Sequence, residues 1–171
     1  MKVSQHFGIL YSLLLIGQIV LCNYAALGPY VVLTMLPAMI MCLPTTFKAS
    51  TCMLVAFASG FCVDWLSEGL LGLNAAAAVL LALLRNSIIK IFLGEDLITR
   101  GDRFSVRKNG FTKIMVAMFT ANVLYLGAYV LLDGAGTRPA FFSLTRLGIS
   151  TACCLVLSLI VTNILSPDDR K

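Results

Sequence analysis

Gly60-Phe-Cys-Val-Asp64-Trp65-Leu-Ser-Glu68-Gly69-Leu-Leu-Gly72-Leu-Asn74 runs directly into Ala75-Ala-Ala-Ala78-Val-Leu-Leu-Ala-Leu-Leu84-Arg85. The first part places two acids, Asp64 and Glu68, with Gly69, Gly72 and Asn74 in a tight connection between two long apolar segments. In such surroundings each charge is costly unless it reaches the membrane interface or a partner. The connection therefore governs how the flanking segments pair, and Asp64 is the residue whose partner matters first.

Outward from this block the chain is apolar throughout. Of 171 residues, 59% are hydrophobic and only 12% charged, and the mean hydropathy is +0.93. These values are outside the range of soluble domains of this length. A helix needs about 20 mostly apolar residues to cross roughly 30 Å of hydrocarbon. The sequence offers six such segments, near 7–22, 26–44, 49–66, 70–90, 113–132 and 142–165. The expected fold is an all-α integral membrane protein, a single six-transmembrane-helix bundle over 1–171 with no room for a soluble catalytic domain. Lys2 followed by an apolar run also has the form of a secretory leader, with Tyr24-Ala25-Ala26 as a weak cleavage site. A lipoprotein reading at Cys22 is weaker, because Leu21 is not the small residue expected before such a cysteine. The later spans make a cleaved leader unnecessary, so the segment is read as the first span.

Charge orients the bundle. With both termini cytoplasmic, the inner side holds Lys2, Lys48, Arg85, Lys90, Arg100, Arg103, Arg107, Lys108, Lys113, Arg170 and Lys171, leaving Arg138 and Arg146 outside: eleven of thirteen basic residues inside. This follows the positive-inside rule for an even number of spans. The basic pI is then a loop bias, and no basic surface interleaved with aromatics suggests nucleic acid. The largest inner loop, about 94–112, carries Arg100, Arg103, Arg107 and Lys108. It reads either as a solvated loop drawn to anionic lipid or as a docking surface for a cytoplasmic partner. Just before it, Asn86 to Leu93 is apolar with a cationic edge and could bend out along the membrane surface.

Proline and small residues set the remaining expectations. Pro37 predicts a kink in the second segment and Pro44 its end. Ser50, Ala56, Ala58, Ser59 and Gly60 in the third segment and Gly72 and Ala75 to Ala78 in the fourth suit close approach of helices three and four in lipid, the alternative being that the alanine run is helix-forming filler. Arg146 shares the outer leaflet with Asp64, Glu68 and Asp133, and the expectation is a pair between Arg146 and Asp64 or Glu68. The six cysteines lie within or at the ends of apolar segments without CxxC spacing, so they read as packing residues. Neither a metal site nor a cofactor site is suggested. No HExxH, GxSxG or P-loop pattern occurs, and no catalytic residue is proposed. Asp64 and Glu68 are one turn apart, but their place at a turn favours helix capping and interfacial solvation over an acid pair or cation site.

The six-span order, Pro44 closing the second span, and Gly60-x-x-x-Asp64-x-x-Ser67-x-x-x-x-Gly72-x-Asn74-Ala75 leading into a long fourth helix resemble the rod shape-determining MreD family. In that family an acid near the outer end of helix three and a following Leu-Gly pair recur, which match Asp64 and Leu71-Gly72. Members often carry a Thr-Pro pair before the glycine, where this chain has Glu68-Gly69-Leu70-Leu71. The resemblance implies a non-enzymatic component of the bacterial inner membrane that scaffolds or regulates peptidoglycan synthesis during elongation. Its implied partners are MreC, the actin-like MreB, and RodA with its transpeptidase. The implied fold is similar to the vitamin-capturing membrane subunit of energy-coupling-factor transporters, so a solute-binding transporter subunit is the alternative function. A small membrane enzyme is a third, weaker class. Candidate partner contacts are Asp64, Trp65, Glu68, Gly72, Asn74 and Arg146 on the outer side, and Arg100, Arg103, Arg107 and Lys108 inside. A homodimer remains open.

Overall fold

The computed structural model describes residues 5–24, 31–68, 71–94, 110–134 and 139–165, with the side chains at 5, 6, 68 and 140 outside that description. The basic residues Arg100, Arg103, Arg107 and Lys108 of the 94–112 loop lie outside the described residues, as does Arg138.

The described chain is helical, because in hydrocarbon a spanning segment must satisfy its N–H and C=O groups internally. In chain order the helices are α1 (Gln5–Tyr24), α2 (Leu36–Met41), α3 (Ala49–Val63), α4 (Leu73–Leu93), α5 (Phe111–Gly134) and α6 (Ala140–Leu165). Five of them, all but α2, are long and apolar enough to cross a membrane. The protein is a multi-pass membrane protein. Its outward face is apolar, with Ile9, Leu13, Leu54, Phe57, Leu83, Phe119, Leu144 and Val156 exposed. α3, α4, α5 and α6 pack as successive antiparallel neighbours, and α2 lies among α4, α5 and α6 with every one of its residues buried.

The second apolar segment departs from a spanning helix. Residues 31–35 are non-helical, and α2 is only six residues long. Pro37 explains where the helix starts. At the first turn its missing N–H costs nothing, but helix extended toward the amino end would set its ring against the carbonyl of Leu33. Pro37 therefore begins a short helix where a kink in a long one was expected. Farther on, Asn86 to Leu93 continues α4 without a break, so this stretch does not bend away as its cationic edge suggested.

Candidate functional site

α3 ends at Asp64, whose N–H donates to Gly60 O and Phe61 O, and the chain then widens into a π-helical turn over Asp64–Glu68. Such turns are rare and gather at functional sites. This one brings the Asp64 carboxylate over the start of α4. Oδ1 accepts from Asn74 N at 3.0 Å and Asn74 Nδ2 at 2.9 Å, and Oδ2 from Gly72 N at 2.9 Å and Ala75 N at 3.1 Å. Asp64 is fully buried. It thus takes four donors, including amide groups that a helix N-terminus leaves without intrahelical partners, and places negative charge at the positive end of the helix dipole. The N-cap residue of α4, Gly72, has no side chain to do this and adopts φ +102°, a left-handed conformation suited to glycine.

The network continues inward. Asn74 Oδ1 accepts from Tyr125 Oη at 2.5 Å, which carries the linkage from α3 through α4 to α5. Close approach makes it possible: a Cβ added at Gly60 would lie 2.6 Å from Ala75 Cα and 2.7 Å from Ala75 N. Asp64 serves as a cap, as the turn position suggested, but it is not solvated at an interface. Its acceptor sites are filled by hydrogen-bond donors, so its role is to fix geometry. Around it, Trp65, Leu66 and Leu71 are exposed. Phe57 and Phe61 of α3 and Trp65 of the π turn form an aromatic row, with successive ring centroids 5.9 and 5.6 Å apart. Glu68 contributes its backbone to the π turn, while its side chain is outside the described residues.

Arg146 does not join this cluster. Its Nη1 pairs with Asp133 Oδ2, and its guanidinium lies 5.9 Å from the Tyr129 ring centroid. In place of the expected pair with Asp64, Arg146 joins the adjacent ends of α5 and α6; the side chain of Glu68, the other expected partner, lies outside the described residues. The cause is local: Asp133 sits across the same hairpin, whereas the Asp64 carboxylate is occupied by the amides of α4.

Two further polar constructions were not legible as sites. Arg85, counted among the inner charges, is fully buried in α4. Its Nε donates to Met41 O at 3.4 Å, Nη2 to Met41 O at 3.3 Å and to Leu43 O, and Nη1 reaches Cys52 Sγ at 3.8 Å. The guanidinium thereby caps the carbonyl end of α2, where a cation is favoured by the helix dipole. The available signal was its place eight residues before the end of α4, too deep for an ordinary loop charge.

The second construction holds the non-helical 31–35 stretch. Val32 N donates to Ser150 Oγ at 2.9 Å, Thr34 N to Cys154 Sγ at 3.3 Å, and the Cys154 thiol to Val32 O at 3.2 Å. From α1, Gln18 Oε1 accepts from Met35 N at 2.6 Å and Nε2 donates to Leu33 O at 3.2 Å. Leu33 O is the carbonyl that Pro37 leaves without a helical donor. Backbone outside a helix at membrane depth needs such partners. Cys154, read from sequence as packing, is here a hydrogen-bonding group.

Among the described residues, no group of three or more His, Cys, Asp or Glu side chains is arranged to hold a metal ion. A scan of the chain against protein-family models, a search of curated proteins and a search of solved structures each return no match.

Proposed function

We propose that this chain is a non-enzymatic inner-membrane component of the bacterial cell-shape machinery of the MreD type, which scaffolds peptidoglycan synthesis during elongation through MreC. The observation that carries this reading is the Asp64 clamp. Gly60, Asp64, Gly72, Asn74 and Ala75, which carry the family resemblance, form one hydrogen-bonded and close-packed unit, with Asp64 capping α4 through four bonds. A block so committed to fixing helix geometry fits a protein that presents a rigid surface to partners. In this reading the second segment also crosses the membrane, giving six crossings with both termini cytoplasmic and the Asp64 turn on the outer side. Trp65 and the aromatic row behind it would then meet the membrane helix of MreC. Arg100, Arg103, Arg107 and Lys108 would face MreB and other cytoplasmic partners, and RodA with its transpeptidase would join through the same assembly.

Depletion of the chain in the cells that make it tests the reading. The expected outcome is rounding of rod-shaped cells with vitamin uptake unchanged. Normal shape with impaired uptake of a vitamin would replace the reading with that of a solute-capturing transporter subunit.

A further inference from the structure

α4 outruns the helices beside it at one end. Gly60 of α3 lies against Ala75 of α4, and Tyr125 of α5 bonds Asn74. The neighbours are antiparallel, so the twelve residues from Gly60 back to Lys48 match the twelve from Ala75 on to Ser87. Likewise the twelve from Tyr125 back to Lys113 match the twelve from Asn74 on to Asn86. Lys48, Ser87 and Lys113 therefore share one level, about 18 Å along α4 from the Asp64 clamp at 1.5 Å per residue. α3 begins there at Ala49 and α5 at Phe111, whereas α4 runs on to Leu93, roughly 9 Å farther.

The side chains of this rim are open: Lys48, Ser50, Ser87, Lys90 and Lys113 are all exposed. Ser87 and Lys90 continue the outward stripe of α4, whose exposed members Leu83, Leu80 and Ala76 run back toward the middle of the bundle. Charge at the rim is one-sided. Asp64 and Asp133, the acids whose side chains are described, lie at the opposite end, where α3 and α5 finish. Neither α3 nor α5 carries an acid in its first turn, and Lys48, the N-cap of α3, makes no side-chain cap bond. A cation at a helix start opposes the dipole, so Lys48 and Lys113 stand where a helix favours an anion.

We propose that this rim is a site for an anionic phospholipid, whose headgroup phosphate is held by Lys48, Lys113 and the Ser87 hydroxyl while an acyl chain lies along Leu83, Leu80 and Ala76. Two features select that occupant over a soluble anion. Polar rim and apolar stripe are continuous on one face of α4, so a fitting ligand carries charge and hydrocarbon together. The rim also lies where two spanning helices begin, which is the depth of lipid headgroups. Lysine suits a phosphate as a point charge on a flexible stem, and the serine hydroxyl adds a donor. The site is separate from the basic residues of the 94–112 loop. The inference is independent of the shape-complex reading, and its failure leaves that reading untouched.

The test is native mass spectrometry of the full chain, released from micelles that hold equal amounts of phosphatidylglycerol and phosphatidylcholine. One phosphatidylglycerol per chain is expected to be retained in preference to phosphatidylcholine, on the order of tenfold for two lysines. The Lys48→Gln/Lys113→Gln chain is expected to lose that preference. The Arg103→Gln/Arg107→Gln chain, which removes the same charge from the 94–112 loop, is expected to keep it. A Leu83→Trp chain in a Trp65→Phe background locates the acyl chain. Phosphatidylglycerol brominated on its acyl chains is expected to quench the emission at a lower mole fraction than brominated phosphatidylcholine does. Equal retention of the two lipids, equal loss of preference in both double variants, or equal quenching by the two brominated lipids would overturn the proposal. So would displacement of the lipid by inorganic phosphate at matched concentration, which would mark a plain anion site.

Discussion

Replacing Asp64 with alanine is expected to destabilise the bundle by about 4 kcal/mol, since a buried donor left without its acceptor costs about 1–3 kcal/mol and three buried donors lose theirs here, beside the part-buried Gly72 N. Relaxation and entry of water at the turn keep the total below the simple sum. Asp64→Asn separates charge and geometry. Its amide can keep an acceptor toward Asn74, but it then directs an NH2 group at the N–H groups of Gly72 and Ala75. About half of the alanine loss is expected. Unfolding in mixed micelles titrated with a denaturing detergent, followed by circular dichroism, measures both. An alanine variant within about 1 kcal/mol of the parent would mean that the carboxylate is not the cap of α4.

The second large effect is expected at Gly60. A methyl group there meets Ala75 and Asn74 backbone atoms at 2.6 to 2.8 Å, and no flexible side chain is present to give way. α3 and α4 must then separate. Overpacking of this kind typically costs 1–3 kcal/mol, and about 3 kcal/mol is expected for Gly60→Ala because the shift also draws Ala75 N away from Asp64 Oδ2, 3.1 Å distant. Gly127→Ala is the matched control. Its added Cβ would lie 3.7 Å from the end of the Leu147 side chain, an ordinary contact, so a change under about 0.5 kcal/mol is expected. The same micelle titration reads both. Since Gly60 and Asp64 act on one contact, the double variant should lose less than the sum of the single losses. Full additivity would show that the close approach and the clamp are independent.

The legible and illegible parts of this fold divide on a physical line. Membrane class and the long apolar helices follow from composition and run length, since hydrocarbon thickness imposes both. The small residues Gly60 and Ala75 marked the α3–α4 approach, because only lack of side-chain bulk permits it. Polar partners were harder to read. Asp64 lies at a turn, and turns usually meet water, so solvation was the natural expectation. The π turn that carries it over α4 is a backbone choice with no residue signature. Arg146 had several acids within reach by depth, and it pairs with Asp133 where the Asp64 carboxylate is already occupied by the amides of α4. In the second segment, an apolar run with Pro37 inside could be a kinked helix or a short one. The outcome turned on Gln18, Ser150 and Cys154, which lie far away in sequence and supply the hydrogen bonds of the non-helical backbone. Arg85 was counted with the loop charges because of its residue type, although its depth in the fourth helix was the signal against that.

Capture of the tagged full chain from the membranes of the cells that make it, with mass spectrometry of both the proteins and the small molecules recovered, tests the proposed role most directly. A scaffold of the cell-shape machinery predicts that MreC is recovered with the chain, and that recovery falls in the Asp64→Ala variant as the turn presenting Trp65 loosens. A chain that emerges with a tightly held vitamin and without MreC would contradict it.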